Sequence, residues 1–225
     1  MKLIFMLTHH DRTVANCLEV LDAALPLGIT DIGFKDIGVA PNVLRTLNQR
    51  IRSAGATSYL EIVSETPDAC LQLVRSGLDL PVDRLLGGTD IKSVLPVLAD
   101  SGIAYFPFAG FPTGHPTQLA GSPEEVAEHC QTFMAQGAAG VDLLAYRAVE
   151  ADPLDLVRAA REGLGDGELI VAGSISGSEQ LRRLHDLGVD AVTIGTALFS
   201  EDYADARSGV VAQLEAALET MATLN

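Results

Sequence analysis

Positive charge is in short supply: the 225 residues carry 15 Lys and Arg against 30 Asp and Glu, a formal net charge of −15 at pH 7. A chain without cationic clusters is not built for the phosphate backbone of a nucleic acid, whose binding rests on several Lys and Arg contacts. One small phosphate is a different matter, because a few backbone N–H groups at a helix start hold an anion whatever the total charge. Long apolar runs are missing as well. No stretch approaches the roughly 20 residues needed to cross a bilayer, so no membrane partner is expected. The apolar start, residues 1–7, is cut off by Thr8-His9-His10-Asp11 before it attains the length or the cleavage site of a signal peptide. Cysteine is limited to Cys17, Cys70 and Cys130, odd in number and widely spaced beside apolar neighbours, which is the usage of a reduced, cytoplasmic protein. No linker, low-complexity tract or like-charge run divides the sequence, so residues 1–225 read as a single domain.

What is present is alternation. Short β-rich runs near 2–8, 31–36, 57–63, 82–87, 103–108, 140–146, 168–173 and 190–195 are separated by longer amphipathic segments, the pattern of parallel strands joined by helical crossovers. Ser122-Pro123-Glu124-Glu125 and Ser176-Gly177-Ser178-Glu179 read as capping boxes, and Thr66-Pro67 and Asp152-Pro153 place proline at the first helical position. Gly28, Gly55, Gly77, Gly102, Gly137 and Gly188 mark helix ends. Pro96 falls inside the fourth helical segment and implies a kink or a later start. A doubly wound open sheet uses the same alternation with fewer strands. About eight evenly spaced units favour an α/β fold closed as a (βα)8 barrel. Residues 109–121, with Pro112, Gly114, Pro116 and Gly121, are too long and irregular for an ordinary connection and are a candidate substrate cover.

In such a barrel the turns after the seventh and eighth strands commonly hold a phosphate. Here those turns contain Gly173-Ser174 and Gly195-Thr196. Glycine lets an anion approach the backbone, and a short helix after the eighth strand aims N–H groups at the same point; alternatively the glycines only permit tight turns. Ala172-Gly173-Ser174-Ile175, with Gly188-Val189-Asp190-Ala191 and Ile194-Gly195-Thr196-Ala197, resembles the ribulose-phosphate-binding barrel superfamily. That group includes histidine- and tryptophan-biosynthesis isomerases, thiamin-phosphate synthase and sugar-phosphate decarboxylases and epimerases. The resemblance covers about the last quarter of the chain and implies a small phosphorylated metabolite as ligand. Gly173-Ser174 stands where those enzymes often have two glycines, which brings a serine hydroxyl to the anion.

Lysine occurs only as Lys2, Lys35 and Lys92. Strand alternation that sends Ile32 and Phe34 toward the helices turns Lys35 into the barrel, and the same parity turns Glu61, Asp142 and Tyr146 inward. Two chemistries suit this set. A buried lysine whose charged form is disfavoured forms a Schiff base with a carbonyl, as a carbon–carbon lyase of the aldolase type does. Alternatively Lys35 and Glu61 shuttle a proton beside a carbonyl, as in an isomerase or epimerase. The scarcity and inward parity of Lys35 put the lyase slightly ahead, with Asp142 tuning it; a plain ion pair of Lys35 with Glu61 or Asp142 is the structural alternative.

Further substrate contacts are read at the rim: His9, Asp36, Thr89, Asp90, His115, Tyr146 and Arg147. Asp90 serves equally well as a helix N-cap, Lys92 as a solvated residue, and Arg147 as a partner of Glu150. No spacing matches a compact metal motif. No zinc and no cofactor are expected, while the resemblance leaves room for Mg2+ on Glu61, Asp36 or Asp90. A non-catalytic barrel binding a phosphorylated ligand or flavin remains the competing class, and a homo-oligomer is compatible with the sequence.

Overall fold

The computed structural model describes residues 1–62, 71–72, 74–75, 80–114, 116–204 and 207–224. The helix start expected at Thr66-Pro67, together with Cys70, Gly77 and His115, lies outside the described residues.

Eight parallel strands follow one another along the chain: β1 (Lys2–Met6), β2 (Asp31–Lys35), β3 (Thr57–Glu61), β4 (Arg84–Leu86), β5 (Ala104–Phe106), β6 (Gly140–Leu143), β7 (Glu168–Val171) and β8 (Ala191–Ile194). Their ladder order is β6-β7-β8-β1-β2-β3-β4-β5. The ring closes between β5 and β6, where Ala139 N donates to Tyr105 O at 3.0 Å, Asp142 N to Pro107 O at 2.9 Å and Ala109 N to Asp142 O at 3.2 Å. The fold is thus the (βα)8 barrel that the spacing implies, and the strands lie inside their expected spans with shorter ends.

Alternation decides what faces where. Leu3, Phe5, Ile32, Phe34, Val141, Leu143, Val192 and Ile194 join the apolar layer between sheet and helices, while Ile4, Met6, Tyr59, Leu86, Phe106, Ile170 and Ala191 fill the barrel interior. Burying an apolar side chain of this size stabilises by about 1.5–3 kcal/mol, so a one-residue slip of any strand is heavily disfavoured. The N-terminal end of the barrel is sealed by polar contacts. Arg84 is paired with Glu168 and lies over the rings of Tyr59 and Phe106 at 5.5 and 5.3 Å, and Tyr59 Oη donates to Asp31 Oδ1 at 2.7 Å. Access to the interior is therefore from the C-terminal end.

Around the barrel run α1 (Cys17–Ala24), α2 (Pro41–Ser53), α3 (Ile91–Leu98), α4 (Pro123–Gln136), α5 (Pro153–Leu164), α6 (Ser178–Asp186), the short α7 (Thr196–Phe199) and α8 (Val210–Ala222). Ser122 and Glu125 form the reciprocal cap expected of them, and the Asp152 side chain caps α5 before Pro153. The box at Ser176 is not formed: Gly177 is the N-cap of α6, without a side-chain cap. Gln180 takes over the task from inside the helix, accepting from Ser176 N at 2.8 Å and donating to Ser174 O at 3.1 Å. Pro96 lies within α3, which ends two residues later at Leu98.

The irregular stretch 109–121 is an antiparallel hairpin, Phe111–Thr113 with Gln118–Ala120. It is fastened by Gly110 N to His129 Nδ1 at 3.2 Å, Gly121 N to Glu150 Oε2 at 3.1 Å and Val149 N to Leu119 O at 3.0 Å. A second, smaller hairpin follows β1, Thr8–His9 with Arg12–Thr13, and it shapes the site.

Candidate active site

A cavity of about 470 Å3 opens at the C-terminal end of the barrel. It is lined by Met6, Thr8, His10 and Asp11, by Lys35 and Glu61, by Leu144 and Arg147, by Thr193 and Asp202, by the turns 172–176 and 195–197, and by Pro116 of the 109–121 hairpin.

Lys35 ends β2 with its side chain inside the barrel, 6% exposed. Its backbone is pinned by Thr13 of the small hairpin, whose Oγ1 accepts from Lys35 N at 2.9 Å and donates to Lys35 O at 2.7 Å. Its ammonium lies 2.8 Å from Asp11 Oδ1 and 2.9 Å from Glu61 Oε1. Burial disfavours the charge, but the carboxylates of Glu61 and Asp11 outweigh that, and the Lys35 pKa is raised above the ordinary lysine value. The physical premise for a lysine with a lowered pKa is thus corrected: inward parity brought the lysine between two acids, not against apolar walls alone.

Asp11 is the residue that sequence reasoning missed. It occupies the second position of the two-residue turn His10-Asp11, where both φ angles are positive, 48° and 58°. A tight hairpin turn of this hand asks for that conformation and usually recruits Asn-Gly, so His-Asp gives no turn signal. The one available clue is the polar run after an apolar strand. Asp11 takes a fork from Arg147, with Nη2 to Oδ1 at 3.0 Å and Nη1 to Oδ2 at 3.1 Å. Burial works against its ionisation, yet the hydrogen bonds of Arg147 and the Lys35 charge hold its carboxyl well below the usual carboxylate range.

Asp142 faces inward as its parity requires and is fully buried. It is not bonded to Lys35: neither carboxyl oxygen has a hydrogen-bond partner among the described residues. Burial, reinforced by the Glu61 charge, pushes its pKa well above the carboxylate range despite the opposing charges of Lys35 and Arg147.

The two glycine turns stand side by side. Gly173 and Ser174 have φ of 79° and 56°. A Cβ on Gly173 would come within 2.7 Å of Arg147 Nε, 2.9 Å of its Cδ and 3.0 Å of its Cγ, so the glycine is the groove through which Arg147 passes to reach Asp11. Gly195 likewise leaves room for Thr8, whose Oγ1 would lie 2.7 Å from an added Cβ. At α7 the N–H groups of Leu198 and Phe199 bond Gly195 O at 2.9 and 3.3 Å, while those of Thr196 and Ala197 have no intrahelical acceptor; both residues line the cavity.

Several rim residues lie elsewhere. β6 ends at Leu143 and the chain turns into a 3-10 helix, Ala145–Arg147. The strand parity lapses there, so Tyr146 packs beside Asp152, Glu179 and Arg183 on the helix side while Arg147 enters the cavity. His9 bonds Ser200 Oγ at 3.0 Å and stacks on Phe199 at 6.1 Å, outside the cavity lining; its neighbour His10 lines the cavity. Asp90 caps α3, accepting from Ser93 N at 3.3 Å, Thr89 and Lys92 are exposed and Asp36, just past the end of β2, is half-buried; none of the four lines the cavity. Glu150 is engaged by Gly121, not by Arg147. Among the described residues no group of three or more His, Cys, Asp or Glu side chains is arranged to hold a metal ion, and no helix is long and apolar enough to cross a membrane.

No protein-family model matches the sequence, and a search of curated proteins finds no relative. Solved structures do match. Orotidine 5'-phosphate decarboxylase from Pyrococcus horikoshii is 10% identical over 98% of this chain and 99% of its own, with a TM-score of 0.71. Thiamine phosphate pyrophosphorylase from Pyrococcus furiosus is 17% identical over 100% and 97%, with a TM-score of 0.65. A chain of the tryptophan synthase complex from Pyrococcus furiosus is 16% identical over 89% and 90%, also at 0.65. At such identities the likeness is one of architecture, and what the chain shares with all three is the (βα)8 barrel.

Proposed function

We propose that this chain is an enzyme acting on a small phosphorylated sugar-like carbonyl compound, moving a proton at the carbon next to the carbonyl in the manner of an isomerase or epimerase. The observation that carries the reading is the Lys35 ammonium, fixed between Asp11 and Glu61 in a cavity that the Gly173–Ser174 and Gly195–Thr196 turns also line. The phosphate is held at those turns by the Thr196 and Ala197 amides and the Ser174 hydroxyl. Two of the structural neighbours are named for phosphorylated compounds, which supports the substrate class.

In this reading Glu61 takes the proton from carbon, and the ammonium of Lys35 donates a hydrogen bond to the carbonyl oxygen as it becomes an enolate. A donor placed in advance at developing negative charge is worth on the order of 10²–10³ in rate. Asp11 holds the ammonium in place, and Arg147 bridges the phosphate end of the cavity and the reacting end. The reaction returns the proton to substrate and needs no cofactor.

The Schiff-base lyase is the second reading. It is favoured by one observation, the 2.9 Å contact of Lys35 Nζ with Glu61, which offers an acceptor for the proton the amine must lose. A pool of phosphorylated aldoses and ketoses incubated with the protein in D2O separates the two. Deuterium entering beside the carbonyl, with no borohydride-reducible adduct, supports proton transfer. An adduct mapped to Lys35 moves the assignment to the lyase. Neither result, in a protein that inorganic phosphate still stabilises, refutes catalysis and leaves a binding barrel.

A further inference from the structure

Both permanent cations of the cavity are already engaged. Lys35 is held by Asp11 and Glu61, and the fork of Arg147 is taken by Asp11. Asp202, exposed in the segment after α7, adds a further acid to the lining. The phosphate proposed at the β7 and β8 turns would thus meet amides and hydroxyls but no uncommitted cation. Among the described residues, one other lining side chain can carry positive charge, that of His10. Its place is fixed from two sides. The His10 amide donates to Thr196 Oγ1 of the β8 turn at 3.2 Å. A φ of 48° at His10 departs from the extended backbone in which successive side chains point to opposite faces, and the His9 and His10 rings come together, 3.9 Å between centroids. His9 is itself seated on α7 and its C-cap, stacked on Phe199 at 6.1 Å and bonded to Ser200 Oγ at 3.0 Å. The His10 imidazole is therefore propped against the element that carries Thr196 and Ala197. Burial, and after it the neighbouring His10, lower the His9 pKa, which keeps His9 as the neutral support of the pair.

We propose that His10 is a phosphate ligand and the specificity-determining residue at that end of the cavity: its imidazolium, resting on His9, donates to a phosphate oxygen and supplies the charge that the two turns lack. Imidazole is the side chain that exchanges its charge near neutrality, and a hydrogen bond between charged partners is roughly twice as strong as a neutral one. The cavity then takes a phosphorylated compound in preference to the same compound without its phosphate. The groups facing His10 are His9 from its own hairpin, Asp11 beside it in the turn, Asp202 after α7, and across the lining Lys35, Glu61 and Arg147. The proposal rests on the reading of the β7 and β8 turns as a phosphate site and adds to that site its charged ligand.

Sulfate is the first probe, since it stays doubly charged where a phosphate changes its own protonation. Proton–nitrogen correlation NMR follows the backbone amides of Ser174, Thr196 and Ala197 and the His10 imidazole, the last assigned by its loss in His10→Asn; asparagine tolerates the left-handed φ and cannot take up the charge. Saturating sulfate is expected to move the three amides and to raise the His10 titration midpoint by about one pH unit, which by linkage is about ten-fold tighter binding to the charged form. His10→Asn is expected to bind sulfate about ten-fold more weakly at pH 5.5 and to lose the pH dependence, and His10→Gly, which the turn also accommodates, serves if that variant fails to fold. Amides that move while the His10 midpoint stays in place, or a variant that binds as the original protein does, overturn the role of His10 and leave the phosphate site standing. A His10 response with the amides unmoved is an anion on an exposed side chain and overturns the proposal as well. No response from either, to sulfate or to inorganic phosphate, overturns the phosphate site itself and the proposal with it.

Discussion

Replacing Gly173 by alanine sets the β7 turn against Arg147. At φ 79° an alanine bears a left-handed penalty of about 1–2 kcal/mol. The new methyl would lie 2.7 Å from Arg147 Nε, with Cδ and Cγ at 2.9 and 3.0 Å, so the whole outer half of the arginine must leave the groove. Its two bonds to Asp11 are lost with it, in surroundings where the arginine and aspartate side chains are only 19% and 8% exposed. Hydrogen bonds between charged groups contribute roughly 1.5–3 kcal/mol each, but Asp11 keeps Lys35 as a partner, so about 2 kcal/mol is a fair net loss for the pair. The sum is about 3–4 kcal/mol, equivalent to a fall in Tm of about 10 °C for a chain of this size. Urea denaturation measures it. The decisive version is a double-mutant cycle: in an Arg147→Ala background the steric part vanishes, and Gly173→Ala is expected to cost only its backbone penalty, leaving a coupling of about 2 kcal/mol. Costs that add to within about 0.5 kcal/mol would refute the claim that the glycine exists to let the arginine through.

Lys35→Met leaves Asp11 and Glu61 facing one another without the shared cation; breaking a buried pair in this way costs about 3–5 kcal/mol, readable by urea denaturation, and deuterium exchange is expected to disappear with it. The pH dependence of stability has a definite sign at Asp11. Its folded pKa is depressed by Arg147 and Lys35 against the pull of burial, so the stabilisation is fully present above the unfolded value of about 3.9 and drains away as pH falls through the lower folded value. Asp11→Asn is expected to flatten the stability profile below pH 4, and a profile as steep as that of the original protein counts against the Asp11 pairs. Asp142 has the opposite sign, because its folded pKa is raised by burial and Glu61. Its stability contribution declines as pH rises above the unfolded value, and Asp142→Asn is expected to be neutral or stabilising at pH 7 by thermal denaturation; a strong loss of stability there means the carboxyl is ionised and in use.

The strands were legible because their information is local and repeated. Ile32 and Phe34 facing out with Lys35 facing in, or Val141 and Leu143 out with Asp142 in, follow from a period of two that burial enforces. The same rule failed at Tyr146 because it was extended past Leu143, where the chain leaves the strand for a 3-10 turn and the parity no longer applies. Caps divided likewise: the Ser122 box needs only the four residues that form it, whereas the Ser176 box lost to Gln180, a competitor from further along the same helix. Asp11 was illegible for a different reason. Its place is set by a turn with two left-handed residues that are not glycine, a conformation sustained by partners as distant as Thr196, whose Oγ1 accepts from His10 N at 3.2 Å, and Arg147. Only the assembled barrel supplies them.

The Lys35 pKa shows the same dependence on assembly. From sequence, an inward lysine implies desolvation, and desolvation alone lowers its pKa. The net direction reverses because the turn that carries Asp11 folds back over the cavity and adds a second carboxylate to the one contributed by Glu61. That reversal bears on the proposed binding of an anion by so acidic a chain. In the cavity lining, Lys35 and Arg147 offset Asp11 and Glu61 and leave only the exposed Asp202 uncompensated, a small local excess in a protein of net charge −15. Exposed acids beyond about 8 Å are largely screened at physiological salt. A phosphate bound as proposed at the β7 and β8 turns would therefore meet backbone dipoles and a largely compensated cluster, with the excess acid of the surface screened from it.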